Sequence, residues 1–181
     1  MSVISHGRHN TSLPLQSTVR AGFWIRALAL GLDVLFIALL YAAVFMALAA
    51  ANVYPTSAAD VRWLAQMVFA CIILTYTSLE VFCAASLGKL IFRLRIRRQD
   101  GNPAERWMLL LRWSTKQSPW ILTLVMGVLP HPVFGWLQGL LEMILLCGTV
   151  PALNEDHLAW HDEWAGTAVW KVGRTGPPIP V

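Results

Sequence analysis

Apolar residues gather along the chain in four stretches separated by short polar breaks, and the stretches differ in length. Residues 23–51, 61–85 and 133–150 each come near or exceed the ~20 residues a helix needs to cross the hydrocarbon of a bilayer. Trp24 and Trp63 stand near the openings of the first two, where an amphipathic ring prefers the headgroup zone. Asn52, Tyr54, Pro55, Thr56 and Ser57 form a short loop between them. The remaining apolar stretch, 120–129, reaches only ~15 Å at helical rise and cannot cross alone. Ser118-Pro119 ahead of it has the cap-then-proline form of a helix start, and Pro130-His131-Pro132 supplies a turn after it. Either this stretch continues, kinked, from the helix before it, or it is re-entrant; a helical hairpin with the last span is the preferred reading.

Between the second and third stretches the period changes. Arg93-Leu94-Arg95-Ile96-Arg97 alternates charged and apolar positions, which is the period of a strand, and Asp100-Gly101 closes it with a turn. After Pro103, residues 104–117 carry Trp107, Leu110, Leu111 and Trp113 among Arg106, Arg112 and Lys116, the pattern of a helix lying in the membrane interface. The expected fold class is an all-α membrane protein of about four transmembrane helices, the third short or kinked. A cytoplasmic interfacial helix and a small two-stranded ribbon, 94–98 against 168–172, complete it. A polar segment 1–20 precedes the transmembrane domain 21–172, and a Pro/Gly-rich tail 173–181 follows it.

Composition strengthens the membrane reading. Hydrophobic types make up 56% of the 181 residues and charged types 13%, against roughly 25% charged in soluble domains. With a mean hydropathy of +0.55, the chain has too little polar surface to cover a water-soluble globule. The run 27–51 is much longer than the 7–15-residue core of a cleavable signal and is expected to be a retained span. A net charge of +4 invites a nucleic-acid reading, but the basic residues flank apolar runs instead of forming a soluble basic face, so no nucleic-acid partner is expected. With four spans, all of the 14 Lys and Arg residues except Arg62 fall on one side. The positive-inside rule then places both termini in the cytoplasm.

Ionisable groups within apolar spans are costly, at least ~2.5 kcal/mol each at the bilayer centre, and therefore informative. Asp33, Glu80 and Glu142 all fall at similar depth in the cytoplasmic half. Asp33 follows Arg26 by seven residues on one helix face, about 10 Å away; Glu80 and Glu142 lie ~8 and ~12 Å from the cytoplasmic ends of their spans. This suggests one shared polar cluster, with Thr75, Tyr76, Ser78 and Gln138 as hydrogen-bonding neighbours; Gln138 is at i−4 to Glu142. Two readings stand. Carboxylates in low dielectric titrate at raised pKa and can exchange a proton for a hard cation. Alternatively Arg26, Lys89 or Arg112 reach inward, pair with the carboxylates and fix helix packing.

Arg93, Arg95, Arg97 and Arg98, with Lys89, could hold anionic lipid at the cytoplasmic face, although topology determination alone accounts for them. In the tail, His157 and His161 stand at i,i+4 among Glu155, Asp156 and Asp162, but without an HExxH pattern the default is a solvated interfacial segment and no metal site. Cys71, Cys83 and Cys147 read as small buried hydrophobes. No Ser-His-Asp set, phosphate loop or nucleotide fingerprint occurs, so neither an enzyme nor a cofactor is expected.

Three segments in order carry a resemblance. Ala21-Gly22-Phe23-Trp24-Ile25-Arg26 with Asp33, then Ser86-Leu87-Gly88-Lys89 with Leu94-Arg95-Ile96 and Asp100-Gly101, then His161-Asp162-Glu163-Trp164-Ala165-Gly166-Thr167 together resemble the RDD family of bacterial membrane proteins, named for one arginine and two aspartates. The resemblance covers about residues 21–172. It implies Arg26, Asp33 and Asp162 as the family triad, with Gly88, Lys89, His161, Ala165, Gly166 and Thr167 in the loop and tail motifs. Arg93 departs from it, standing where the family usually has glycine. The family's molecular function is largely unknown, with transport of ions or other ligands the usual suggestion. On the triad, Arg26 is expected to pair with Asp162 brought in by the tail, leaving Asp33 deeper. The expected protein is thus a multi-pass protein of the bacterial inner membrane. It is either a transporter of cations or protons through Asp33, Glu80 and Glu142, working as a homo-oligomer, or a scaffold or accessory subunit whose polar residues set helix packing and partner contacts.

Overall fold

The computed structural model describes residues 19–53, 55, 57–129, 132–153 and 158–172. The N-terminal segment before Val19, Tyr54 and Thr56 of the first loop, the Pro130-His131 part of the expected turn, the cluster Glu155, Asp156 and His157, and the Pro/Gly-rich tail lie outside the described residues.

The chain opens on β1 (Val19–Arg20) and enters α1 (Phe23–Ala50), 28 residues and hence about 42 Å long. The next helix, α2 (Ala58–Thr77), begins at a capped end. Ser57 Oγ accepts from the Asp60 amide at 3.1 Å and donates to the Asp60 carboxylate at 2.7 Å, satisfying an orphan donor of the first turn. After a break at Ser78 the same run continues as α3 (Leu79–Cys83). Ala84, at φ 53°, turns the chain back so that α4 (Leu87–Ile91) packs against α1.

Strand β2 (Leu94–Arg98) follows, and then α5 (Arg106–Val128). The expected interfacial helix and the short third stretch are one helix: it starts after Glu105 and runs through Pro119, so Ser118-Pro119 is not a helix start. A proline in a helix interior removes one i→i−4 donor, here the donor to the Thr115 carbonyl. Ser118 Oγ donates to that carbonyl at 2.9 Å, which replaces the missing bond. The hairpin partner α6 (Pro132–Cys147) packs on α5 and leads into a 3-10 turn, Val150–Leu153. Helix α7 (Trp160–Trp164) and strand β3 (Thr167–Lys171) end the described chain.

Among the described residues, three helical runs are long and apolar enough to cross a membrane, Phe23–Ala50, Ala58–Cys83 and Val133–Leu153. Only 11%, 22% and 6% of their most apolar windows are buried inside the chain, so their side chains must be covered from outside it. Cys71, Cys83 and Cys147 lie on this exposed surface and are not buried.

The strands form one three-stranded antiparallel sheet in the order β1-β3-β2. Leu94 stands opposite Lys171 and Arg98 opposite Thr167, one residue earlier than expected, and β1 makes the sheet three-stranded. Its inner face, Leu94 and Val169, packs with Ala21 and Ala29 of the α1 end, flanked by Ile25 and Phe92. This small core joins sheet to helices.

A buried ionic chain where the helices meet the sheet

Arg26, Ala29 and Asp33 share one face of α1 through the i, i+3, i+7 spacing. Ala29 is fully buried, and its small side chain lets α4 come close. At Gly88 a Cβ would collide with the Ala29 carbonyl oxygen and lie 2.8 Å from Asp33 Oδ1; only glycine fits. This contact places the Gly88 amide where it donates to Asp33 Oδ1 at 2.8 Å. Ser86 Oγ donates to Oδ2 at 2.5 Å and Tyr76 OH to Oδ1 at 2.6 Å. Asp33 is thus held by three neutral donors from two other segments of the chain.

Glu80, buried at 1% exposure, faces cations. Lys89 Nζ donates to its Oε1 at 2.5 Å and Lys116 Nζ at 2.9 Å, while Arg112 Nε stands 3.8 Å from Oε2, beyond hydrogen-bond reach. Among the described residues, neither Glu80 Oε2 nor Arg112 Nε has a hydrogen-bond partner. Burial lowers the Lys89 pKa, and the Glu80 carboxylate opposes that shift.

Asp162 is the second hub, with no exposed surface. Arg26 Nη2 donates to its Oδ2 at 2.8 Å, and Arg112 Nη1 pairs with its Oδ1. Arg112 also donates to Thr167 Oγ1 at 3.3 Å. One guanidinium therefore joins both acids, and the ions form a continuous chain: Arg26, Asp162, Arg112, Glu80, then Lys89 and Lys116. It ties together α1, α7, α5, α3 and α4.

The tail motif supplies the geometry for this arrangement. Gly166 adopts φ 63°, the left-handed conformation that suits glycine, and turns the chain from α7 into β3. Ala165 and Thr167 are buried. His161 sits beside the chain with its side chain 11% exposed; burial, reinforced by Arg112, Lys116 and Arg26, holds its pKa well below the usual histidine value. Asp162 Oδ1 lies 3.7 Å from its Nε2, but Arg26 and Arg112 already neutralise that carboxylate, so histidine gains little from it.

Not every sequence-derived residue comes here. Glu142 is exposed on α6, where it accepts from Gln138 Nε2 at 3.1 Å, and it does not join the expected cluster. Arg95 donates to the Cys83 carbonyl at 2.9 Å, Arg97 to the Gly101 carbonyl at 3.2 Å, and Arg98 pairs with Asp100 at 3.4 Å; Arg93, Arg95 and Arg98 remain exposed. Arg93 takes φ 55°, which accounts physically for glycine at that place. Among the described residues no group of three His, Cys, Asp or Glu could hold a metal ion. Lys116 escaped the sequence reading, because nothing local signals a contact with a residue 36 positions away.

Outward along the same helices, a cavity of about 720 Å³ opens among α1, α2, α5 and α6, lined by Tyr41, Trp63, Gln66, Phe69, Trp120 and Gln138 with others.

Long apolar helices around a buried ionic chain, with their apolar faces turned outward, define an integral membrane protein. The RDD family pattern matches residues 20–166, most of the chain, and the chain belongs to that family. No curated protein and no solved structure matches it.

Proposed function

We propose that this RDD-family protein is a four-crossing protein of the bacterial inner membrane with both ends in the cytoplasm, and that it acts as a non-transporting scaffold or accessory subunit. The observation that carries the scaffold reading is the pairing of the acids. Asp33 has three dedicated donors, Glu80 two lysines and Asp162 two arginines. A carboxylate that must release its partner to bind a moving ion would lose several close contacts at once. Breaking such a buried pair costs on the order of 3–5 kcal/mol.

Parity supports four crossings. β1, β2 and β3 belong to one sheet, so the chain must return to its side after every excursion. α1 with α2 makes one round trip, and α5 with α6 makes the other. α5 is about 34 Å long, and its polar residues Arg112, Gln117 and Thr123 are buried against the protein instead of facing lipid. The cytoplasmic assignment rests on the excess of Lys and Arg toward the sheet end among the described residues, and the exposed Arg93, Arg95 and Arg98 suit anionic headgroups there.

Transport of protons or cations stands as a second reading, favoured by the aromatic cavity outward of Asp33 and by the neutral character of the Asp33 donors. Proteoliposomes loaded with a pH-sensitive dye separate the two. The expected result is no proton flux under imposed sodium or potassium gradients. Saturable flux that disappears in a folded Asp33→Asn variant would replace the scaffold with a transporter.

A further inference from the structure

One face of α6 has a composition that a lipid boundary does not explain. Helical spacing sets Gly135, Gly139, Glu142 and Leu146 in a line, at i, i+4, i+7 and i+11. The helix packs chiefly on α5, and this line lies beside that contact, on the open side. A Cβ at Gly139 would meet nothing within 4 Å, and one at Gly135 only Met126 Cε at 3.9 Å. Leu146 is 71% exposed. Glu142, also exposed, falls near the middle of the span Val133–Leu153, where a carboxyl group facing hydrocarbon is unfavourable. The other deep acids of the chain, Asp33 and Glu80, are buried among donors.

We propose that this face is where two copies of the chain meet, their α6 helices crossing at Gly135 and Gly139 about a two-fold axis normal to the membrane. Glycines one turn apart let two transmembrane backbones come close, so that packing and interhelical hydrogen bonds can act. A second copy is the occupant because a two-fold interface demands a self-complementary patch, and the Gln138–Glu142 pair is one. Gln138 uses one amide hydrogen on Glu142, leaving a second hydrogen and its carbonyl; Glu142 keeps further acceptor sites. Each copy offers what the other lacks. The inference is independent of whether the chain moves ions.

The test is the association of the full chain in liposomes, read by energy transfer between donor- and acceptor-labelled copies at decreasing protein-to-lipid ratio. Wild type is expected to form dimers. Gly139→Leu is expected to weaken them at least tenfold while leaving the melting temperature of the monomer in detergent unchanged, because within one copy the added side chain points into open space. Trp136→Ala, on a different side of α6, is expected to leave association unchanged. With Cys71, Cys83 and Cys147 replaced by serine, Gly139→Cys should give disulfide-linked dimers and Trp136→Cys should not. A monomeric wild type, transfer indifferent to Gly139→Leu, crosslinking at Trp136→Cys alone, or association only with a different protein would each overturn the proposal.

Discussion

Arg26 and Asp162 are 136 residues apart in the chain, and their side chains meet at 2.8 Å. The first turn of the first helix is thereby fastened to the last helical turn before the final strand. Arg112 holds the same carboxylate from the other side, so Asp162 is shared between two guanidinium groups from different helices.

Replacing Asp162 by asparagine therefore removes the negative charge that Arg26 and Arg112 share. Loss of one partner of a buried pair costs about 3–5 kcal/mol, and Asp162→Asn should show a large fall in thermal stability of the detergent-solubilised protein. An exchange of Arg26 and Asp162 is not expected to rescue it, because the relocated arginine would stand against Arg112. Full recovery in the exchanged double variant would show that Arg112 does not share the site.

At Gly88 a single methyl group is enough to disturb the fold. Gly88→Ala would push α4 away from α1 and break the amide's bond to Asp33 Oδ1. Overpacking of this kind costs about 1–3 kcal/mol, with loss of the hydrogen bond in addition. Unfolding in mixed micelles should register the change; a wild-type midpoint would contradict the close approach.

Arg93 and Gly166 make an opposed pair. Both have positive φ, but only one is glycine. The left-handed conformation costs a side-chain-bearing residue roughly 1–2 kcal/mol, part of which glycine gives back through its looser unfolded chain. Arg93→Gly should raise stability by about 0.5 kcal/mol or leave it level, and Gly166→Ala should lower it, the more so since its Cβ would lie 3.0 Å from Met108 Cε. Equal effects of the two changes would be the contrary result.

His161 gives the protein a pH dependence of definite sign. Its folded pKa is depressed by burial and by Arg112, Lys116 and Arg26, so the folded state resists a proton that the unfolded chain takes up near pH 6.5. The histidine contributes no penalty above that pH, and stability falls as pH drops from about 6.5 toward the lower folded value. Melting temperatures across this window should decline in wild type and decline less in His161→Gln. A steeper fall in the variant would reverse the assignment.

The three long spans were legible because length and hydropathy alone mark them, and the alternating 93–97 pattern marked β2. The course of α5 was not: Ser118-Pro119 has the local chemistry of a helix start, and only the Ser118 hydroxyl at the Thr115 carbonyl shows how the helix runs on. The family resemblance carried the expectation that Arg26 meets Asp162. Glu80 was picked out as a costly buried acid and Lys89 was named among the cations that could reach such acids, but its other partner Lys116 lies 36 residues away, and no periodicity within one helix encodes it. Glu142 shows the limit of reasoning from depth. Depth is one coordinate, and the direction in which a helix faces is another, set by packing that the spacing of one helix does not contain.

The central strand of the sheet is β3, the last of the three to leave the ribosome, and it pairs with both of the others. The helices of the chain can enter the bilayer during synthesis, but among the described residues β1 and β2 have no strand to pair with until β3 arrives. Until then Arg26 and Arg112 also wait for Asp162. The pairing of β1 with β3 therefore has to follow synthesis of the helices between them. A product truncated before residue 160 would lack β3 for its strands and Asp162 for Arg26 and Arg112, features by which a membrane protease could tell an unfinished copy from a finished one.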